Sequence, residues 1–177
     1  ALSAAGCLLQ YVKYTQRSAL PHIRAIKLEK NDASVILDAA TRRNLEISKN
    51  LQGGIENTLI SVLDATATAM GKRLLSRWLN QPLRDHHILM ERQNAITCIL
   101  DNKQFKPLKD ILKRTTDIER ILARVALRSA RPRDLVGLRN TLAALPDLHQ
   151  ALNQLENTKI KALSDQLGHF ENLHILL

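Results

Sequence analysis

The fold of this chain is decided by the stretch 132–155, which reads PRDLVGLRNTLAALPDLHQALNQL. Pro132 suits the first turn of a helix, where its missing N–H costs nothing, and Asp134 interacts well with the positive end of the helix dipole. The apolar positions that follow recur at heptad spacing, which is typical of a helix packed along a partner helix. These positions are Leu135, Leu138, Leu142 and Leu145. Pro146 interrupts the pattern without ending it, because leucines continue to residue 155.

A second helix is predicted just before this stretch. Thr116 is followed three residues later by Glu119, which matches a capping box that satisfies backbone amides the helix leaves free. One apolar stripe runs along this helix: Ile118, Ile121, Leu122 and Val125. After Asn157 the signal weakens, and spaced apolar residues between Leu163 and Leu173 predict one last helix.

Towards the N-terminus, helical periodicity alternates with breaks. The predicted segments are a helix that stops before Pro21, a helix from Ala39 to Gly53, a short helix over 58–63, a helix capped by Thr68 and ended by Pro82, and a helix opened by Asp85. The side chains expected to be buried in them include Leu45, Ile47, Leu89, Ile96, Ile99 and Leu100.

Residues 25–38 show a different pattern, in which apolar and charged residues alternate. Asn31-Asp32 is suited to a turn, and the apolar, β-branched stretch SVIL (34–37) follows it. This pattern predicts a short β-hairpin, which must pack against helices because two strands alone are marginal. The 177 residues are 45% hydrophobic but only 3% aromatic, which suits aliphatic packing between helices. We therefore expect a mainly α single domain over 1–177, an irregular helical bundle with a small β-hairpin near its N-terminal end.

Basic residues outnumber acidic ones by 26 to 17, and the net charge of +9 favours association with polyanions such as nucleic acid. Arginines concentrate between residues 120 and 139. Five of them are candidate phosphate or interdomain contacts: Arg120, Arg124, Arg128, Arg131 and Arg133. Two interpretations stay open, a ridge that contacts phosphate or a partner, and a solvated face with internal salt bridges. Arginine pairs well with carboxylates, so an acidic partner within the protein is at least as good a candidate as DNA.

No catalytic, cofactor or metal site is predicted. Residues 66–73, TATAMGKR, contain the Gly-Lys pair of a phosphate-binding loop, but Thr66 replaces the first glycine and Arg73 replaces the magnesium-binding hydroxyl. Adjacent His86 and His87 would point about 100° apart on a helix, which does not suit one metal ion. Neither a nucleophile elbow nor a reactive-cysteine motif is present. The sequence therefore predicts no enzyme.

Cysteine usage and hydropathy favour a cytoplasmic protein. Cys7 and Cys98 lie in apolar helical contexts and are expected to be small buried side chains, as in a reducing compartment. No apolar run approaches the ~20 residues needed to cross a bilayer. Because the chain begins without Met, we expect it to be a piece of a longer protein.

Several stretches resemble, in order and spacing, the MutS family of DNA mismatch-repair proteins. They are 4–12 (AAGCLLQYV), 20–23 (LPHI), 38–47 (DAATRRNLEI), 58–64 (TLISVLD), 70–75 (MGKRLL), 117–120 (DIER) and 130–135 (ARPRDL). The resemblance covers nearly the whole chain and is weaker after Leu145. It implies a core, or lever, domain whose long lever helices begin within about 132–177.

The resemblance also implies a longer parent protein, a homodimeric clamp on mismatched double-stranded DNA that uses ATP and magnesium. The family reads mismatches with a Phe-x-Glu motif and hydrolyses ATP at a true phosphate-binding loop. Neither motif is present here, since Phe105 and Phe170 stand in other contexts. We therefore expect a structural domain that links ATPase and DNA-clamp movements without catalysis. An independent basic helical nucleic-acid-binding module is the main alternative, and a helical enzyme of unknown chemistry is the other.

Overall fold

A computed structural model describes residues 2–16, 25 and 34–177, and these residues fold into ten helices joined by turns. In chain order the helices are α1 (Leu2–Gln16), α2 (Ala39–Asn44), α3 (Leu59–Leu63), α4 (Ala69–Asn80), α5 (His86–Asp101), α6 (Phe105–Lys113), α7 (Ile118–Ala126), α8 (Pro132–Asn153), α9 (Thr158–Gln166) and α10 (Glu171–Leu176). None of these helices is both long enough and apolar enough to cross a membrane. The predicted mainly α class is confirmed.

Helix α8 is the central element, because α6, α7, α9 and α10 all pack against it. Its start is set locally: Pro132 occupies the first turn, and the Asp134 carboxylate accepts the Arg131 backbone N–H at 2.9 Å. The helix runs for 22 residues and continues through Pro146, as the leucine spacing predicted. A proline inside a helix removes a backbone hydrogen bond, so packing on either side of Pro146 must hold α8 together.

The inward face of α8 takes part in two apolar clusters, one on each side of Pro146. The first cluster joins α7 and α8 through Ile121, Leu138 and Leu142. The second joins α5, α6, α8 and the start of α9 through Ala95, Leu108, Ala151, Leu155 and Ile160. A single helix therefore connects side chains that lie far apart in the sequence into one core.

The predicted seam of α8 is largely confirmed. Leu138 and Leu142 are buried, and Leu145 packs against the first cluster as a partly buried side chain. Leu135 departs from the prediction, since 38% of its surface remains exposed.

The N-terminal part of the body shows where periodicity fails. Helix α2 ends at Asn44, well before the predicted break at Gly53, and the backbone of Glu46 adopts a positive φ of 45°. Because the chain turns there, helical spacing no longer decides which side chains face inward. Ile47 is buried as predicted, whereas Leu45 is 57% exposed, so that prediction was wrong.

The buried face of α5 is also shifted from the predicted one. Ala95 is buried, whereas Ile96 and Leu100 are each more than half exposed. Ala95 belongs to the second cluster, and Cys98 packs against it together with Ile99, whose predicted burial is confirmed in part. The apolar pattern of the sequence predicted the wrong buried face of α5. The helix packs against α9 through Ala95, which precedes the predicted Ile96 by one residue.

The β-hairpin predicted within 25–38 falls mostly outside the described residues. In the described part, Ser34 forms an isolated antiparallel bridge with Leu83, and the Val35 N–H donates to the Pro82 carbonyl at 2.8 Å. The backbone of this segment thus finds its partner in the turn after α4 and not in a neighbouring strand. The described residues contain no strand, so the hairpin is not supported.

Two elements near the C-terminal half differ from the sequence expectation. Helix α6 was not predicted; it carries Pro107 in its first turn, where proline is tolerated. The sequence signal for this helix was the three-residue interval between Leu108, which is buried, and Ile111, which packs against the same cluster. The single last helix is instead two, α9 and α10.

The two cysteines differ in their surroundings. Cys98 packs against the second cluster, whereas Cys7 on α1 is exposed, so its predicted burial was wrong. Among the described elements, no substantial packing joins α1 to another helix, which leaves its apolar side chains without a covering face.

Replacing Leu138 by Ala tests the central role of α8. Leu138 is 7% exposed and belongs to the first cluster, so its truncation should lower the free energy of unfolding by about 2–5 kcal/mol. The matched control is Leu135→Ala on the same helix, which removes a partly exposed side chain and should cost much less. Chemical denaturation of both variants measures the difference, and equal losses would contradict the packing described here.

Candidate functional site

Charged and hydroxyl side chains tie α4, α7 and α8 together at one place, which we call the α7 joint: Arg73, Thr116, Asp117, Glu119, Arg124, Asp134 and Thr141. Arg73 of α4 donates from both terminal nitrogens to the two carboxylate oxygens of Asp117, each at 2.7 Å. The same guanidinium also bonds Glu119. Such a bidentate pair fixes geometry as well as charge, so it holds α4 at the start of α7.

Asp117 has a second task, because it is the residue that caps α7. Its side chain accepts the Arg120 backbone N–H, and its carboxylate is mostly shielded from water. The hydrogen bonds from Arg73 are the main cause that lowers the pKa of Asp117 below its ordinary value. The charged form is therefore the one that the folded structure favours.

The predicted capping box at the start of α7 was wrong. The cap is Asp117 and not Thr116, while Glu119 is drawn to Arg73. The backbone N–H of Thr116 donates to the Thr141 hydroxyl at 2.9 Å, and both threonine hydroxyls bond the Gly137 carbonyl. A tertiary contact with α8 thus uses the hydroxyl that a local pattern assigned to the cap.

Gly137 makes this contact possible. A Cβ atom at that position would lie 3.2 Å from the Thr116 methyl carbon and 3.3 Å from its hydroxyl oxygen. Without a side chain, the backbone of α8 approaches the start of α7 closely enough for its carbonyl to accept two hydrogen bonds. Thr141, which is 1% exposed, is satisfied within this network.

The second ion pair of the joint lies between Arg124 of α7 and Asp134 of α8. Arg124 donates from Nε to Oδ2 at 2.9 Å and from Nη2 to Oδ1 at 2.7 Å. The Arg131 backbone N–H donates to the same carboxylate. That backbone bond, followed by the guanidinium, lowers the pKa of Asp134. Of the two interpretations of Arg124, the structure shows an acidic partner within the domain.

The five candidate arginines do not form one ridge. Arg120 is largely exposed beside Asp117, whereas Arg124 is engaged with Asp134. Helix α7 ends at Ala126, and Arg128 lies beyond it with a positive φ of 54°. Arg131 and Arg133 lie at the start of α8, where both are exposed. A contact of these arginines with phosphate or with another domain stays a prediction.

The segment that resembles a phosphate-binding loop has a structural role. Thr68 caps α4 as predicted, accepting the Gly71 N–H at 2.9 Å. Lys72 pairs with Asp64 at 2.9 Å, while Arg73 belongs to the α7 joint. Hydrogen bonds from Thr66, followed by Lys72, lower the pKa of Asp64 to about 2. Both basic residues of the segment are thus held by carboxylates.

The described histidines and acidic residues show no arrangement for metal. Within 2–16, 25 and 34–177, no group of three or more histidine, cysteine or acidic side chains could hold an ion. His149 of α8 stacks on His169 with ring centroids 4.5 Å apart, and its Nδ1 lies 3.4 Å from the Ser164 hydroxyl. This stack packs α8 against the turn between α9 and α10.

Comparison with known protein families gives one finding. The sequence model of the family described as MutS domain III matches residues 40–175, which include α3 to α9 and the whole α7 joint.

The pH dependence of stability tests the carboxylates of the joint. The pKa of Asp134 is lower in the folded chain than its ordinary value of 3.8, so its ionised form contributes stability above that value. This contribution is lost as the pH falls through the lowered pKa. We expect Asp134→Asn to lower the melting temperature at pH 7 and to approach the wild type below pH 3.8.

The matched control is Glu156→Gln, which removes an exposed carboxylate that forms no ion pair within the described residues. Its melting temperature should follow the wild type across the same pH series. A constant difference between Asp134→Asn and the wild type at every pH would show that the Arg124 pair is not what stabilises the joint.

Proposed function

Because the chain belongs to the MutS family, as the match over residues 40–175 shows, we propose that it is the structural domain that links ATPase movements to DNA-clamp movements during mismatch recognition. ATP and magnesium would bind elsewhere in a longer protein, and so would the mismatched double-stranded DNA that a homodimer of it grips. In this proposal the domain is cytoplasmic, supplies no catalytic residue and acts through its shape.

One observation carries the proposal, the continuity of α8 through a body that is fastened to it along its length. Four helices pack against α8, and its inward face enters both apolar clusters. Close-packed side chains resist continuous deformation, so a displacement at one end of such a helix is passed to the other end. A chain of packed elements of this kind can carry energetic coupling between two distant sites.

The α7 joint supports the same function. Two bidentate guanidinium–carboxylate pairs connect α4 to α7 and α7 to α8. Each pair consists of two parallel hydrogen bonds, which restrict the relative orientation of the two helices more than a single bond would. We therefore expect the three helices to move together. The joint therefore extends the rigid unit from α8 to the segment 64–80.

Exposed apolar side chains supply surfaces that other parts of a longer protein can cover. Tyr11 and Tyr14 of α1 are 65% and 77% exposed, and Ile175 and Leu176 of α10 are each 82% exposed. Clusters of large apolar side chains at a surface mark contact sites. Because α1 and α10 lie on either side of the α4–α9 body in the chain order, they are suitable places for movement to enter or leave.

A glycine pair in α8 tests the transmission directly. Arg139 and Asn140 are exposed on α8, and paired glycines in a helix promote kinks at a cost of about 1 kcal/mol each relative to alanine. In the full-length protein, Arg139→Gly with Asn140→Gly should leave mismatch binding and ATP hydrolysis measurable. The change in DNA affinity caused by ATP, about 5- to 150-fold in typical allosteric coupling, should fall towards none.

The control for that experiment replaces the same two residues by alanine, which removes the same side chains but keeps the helix stiff. This variant should retain the wild-type coupling. If the glycine variant is folded and still shows full ATP-dependent DNA release, α8 does not transmit the movement and the proposal is wrong.

The chain alone also distinguishes this function from an independent nucleic-acid-binding module. We expect only weak binding of duplex DNA by the 177-residue chain, because several of its arginines are engaged with carboxylates. Fluorescence anisotropy at 50 mM and 200 mM salt, about the range over which phosphate-dominated binding loses ~10³-fold or more, measures this. Tight binding with a steep salt slope would favour the module instead.

A further inference from the structure

A basic cleft lies apart from the α7 joint, between the end of α2, the turn that follows it and the end of α4. Its volume is about 500 Å³, and its charged lining consists of Arg42, Arg43 and Lys49. Asn80, the last residue of α4, lines the opposite side. A cleft of this size falls within the usual range for small-ligand sites, about 300–1,000 Å³.

The turn that forms one wall of the cleft is held in a fixed shape. The Asn50 side chain accepts the N–H groups of Gln52 and Gly54 and donates to the Glu56 carbonyl. The Asn50 backbone N–H also donates to the Gly54 carbonyl at 2.8 Å, and Gly53 adopts a φ of 88° that favours glycine. A wall that is ordered before binding does not lose further entropy when a ligand arrives.

The turn is also fastened to α4. The Ser48 hydroxyl donates to Oδ1 of Asn80 at 3.1 Å, and the Asn80 amide donates to the Ser76 carbonyl at 2.8 Å. These two bonds fix the distance between the two sides of the cleft. The cleft is therefore a feature of the packed body and not of a free surface turn.

The charge of the cleft is unbalanced. Among the described residues, no acidic side chain lines it and no ion pair joins its three cations to a carboxylate. The Glu46 carboxylate accepts the N–H of the lining residue Leu51 at 2.7 Å and offsets part of the positive charge. Elsewhere in the body, Arg73, Arg114 and Arg124 are each paired with aspartate. Part of the Arg42 guanidinium is used, since its Nε donates to the Leu37 carbonyl. Arg43 and Lys49 carry the unbalanced charge.

We propose that this basic cleft binds a phosphate group. Phosphate oxygens accept several hydrogen bonds at once from guanidinium and ammonium groups, which matches three cations around one cavity. Among the described residues, the lining contains no aromatic side chain and Leu51 is its one large apolar residue, so the described lining offers no surface for stacking a nucleobase. The ligand is thus the phosphate itself, as a free ion or as a diester of a nucleic-acid backbone.

The site is tested by titrating the 177-residue chain with sodium phosphate against sodium chloride of equal ionic strength. Backbone amide shifts of residues 42–53 in NMR spectra should change with saturable dependence on phosphate and not on chloride. The double variant Arg43→Gln with Lys49→Gln should weaken binding at least about tenfold, because each charged hydrogen bond contributes substantially. Its spectrum without phosphate shows whether the fold is retained.

The matched control is Lys106→Gln with Arg139→Gln, which removes the same charge from exposed positions on α6 and α8. It should bind phosphate as the wild type does. Equal weakening by both double variants, or shifts spread over all basic surfaces, would overturn the proposal because net charge alone would then act. The absence of any shift would overturn it because phosphate would then not bind at all.

A second arm identifies the source of the phosphate. A fluorescent 12-base-pair duplex is titrated with the same three proteins at low salt. If the cleft variant also weakens duplex binding relative to the control, the site receives a nucleic-acid backbone phosphate. If duplex binding is equal while phosphate binding differs, the site serves a free phosphate ion.

Discussion

The rest of the structure depends on one constraint, that the inward face of α8 stays buried on both sides of Pro146. A proline inside a helix removes a backbone bond, so α8 persists because Leu138 and Leu142 on one side and Ala151 on the other are covered. The covering comes from α7 and from α5, α6 and α9. Loss of either cluster would release one half of the helix and separate the elements fastened to it.

The charged groups of the α7 joint build on this packing. Asp117 and Asp134 each do two tasks, since each satisfies a backbone amide at a helix start and receives a guanidinium from another helix. Hydrogen bonds from the guanidinium groups and the backbone outweigh the partial desolvation of these carboxylates, so the paired and ionised state is the stable one. The hydrogen bonds of the joint thus fix the relative orientation of α4, α7 and α8, which apolar contacts alone would leave free to slide.

Helix α4 connects the α7 joint and the basic cleft. Its last residue, Asn80, lines the basic cleft and accepts a hydrogen bond from the Ser48 hydroxyl. Its Arg73 bonds Asp117 at the start of α7. An anion seated beside Arg43 would therefore lie on the same packed unit as the joint, although no charged group is shared between them. The body combines a packed axis with two further features, the α7 joint and the basic cleft, and this arrangement is compatible with the proposed role in passing movement along.

What the sequence determined by itself is local. Pro132, Thr68 and Asp85 were predicted as helix starts because a cap acts on amides within a few residues, and the leucine spacing of α8 survived Pro146. Tertiary structure decided the rest: Thr116 bonds Thr141 and Gly137 and does not cap its own helix, the acidic partner of Arg124 is Asp134, and Ser34 pairs with Leu83. The reason is physical, since a hydroxyl, a guanidinium or a free backbone edge bonds whichever partner packing brings within reach, and that partner lies far along the chain.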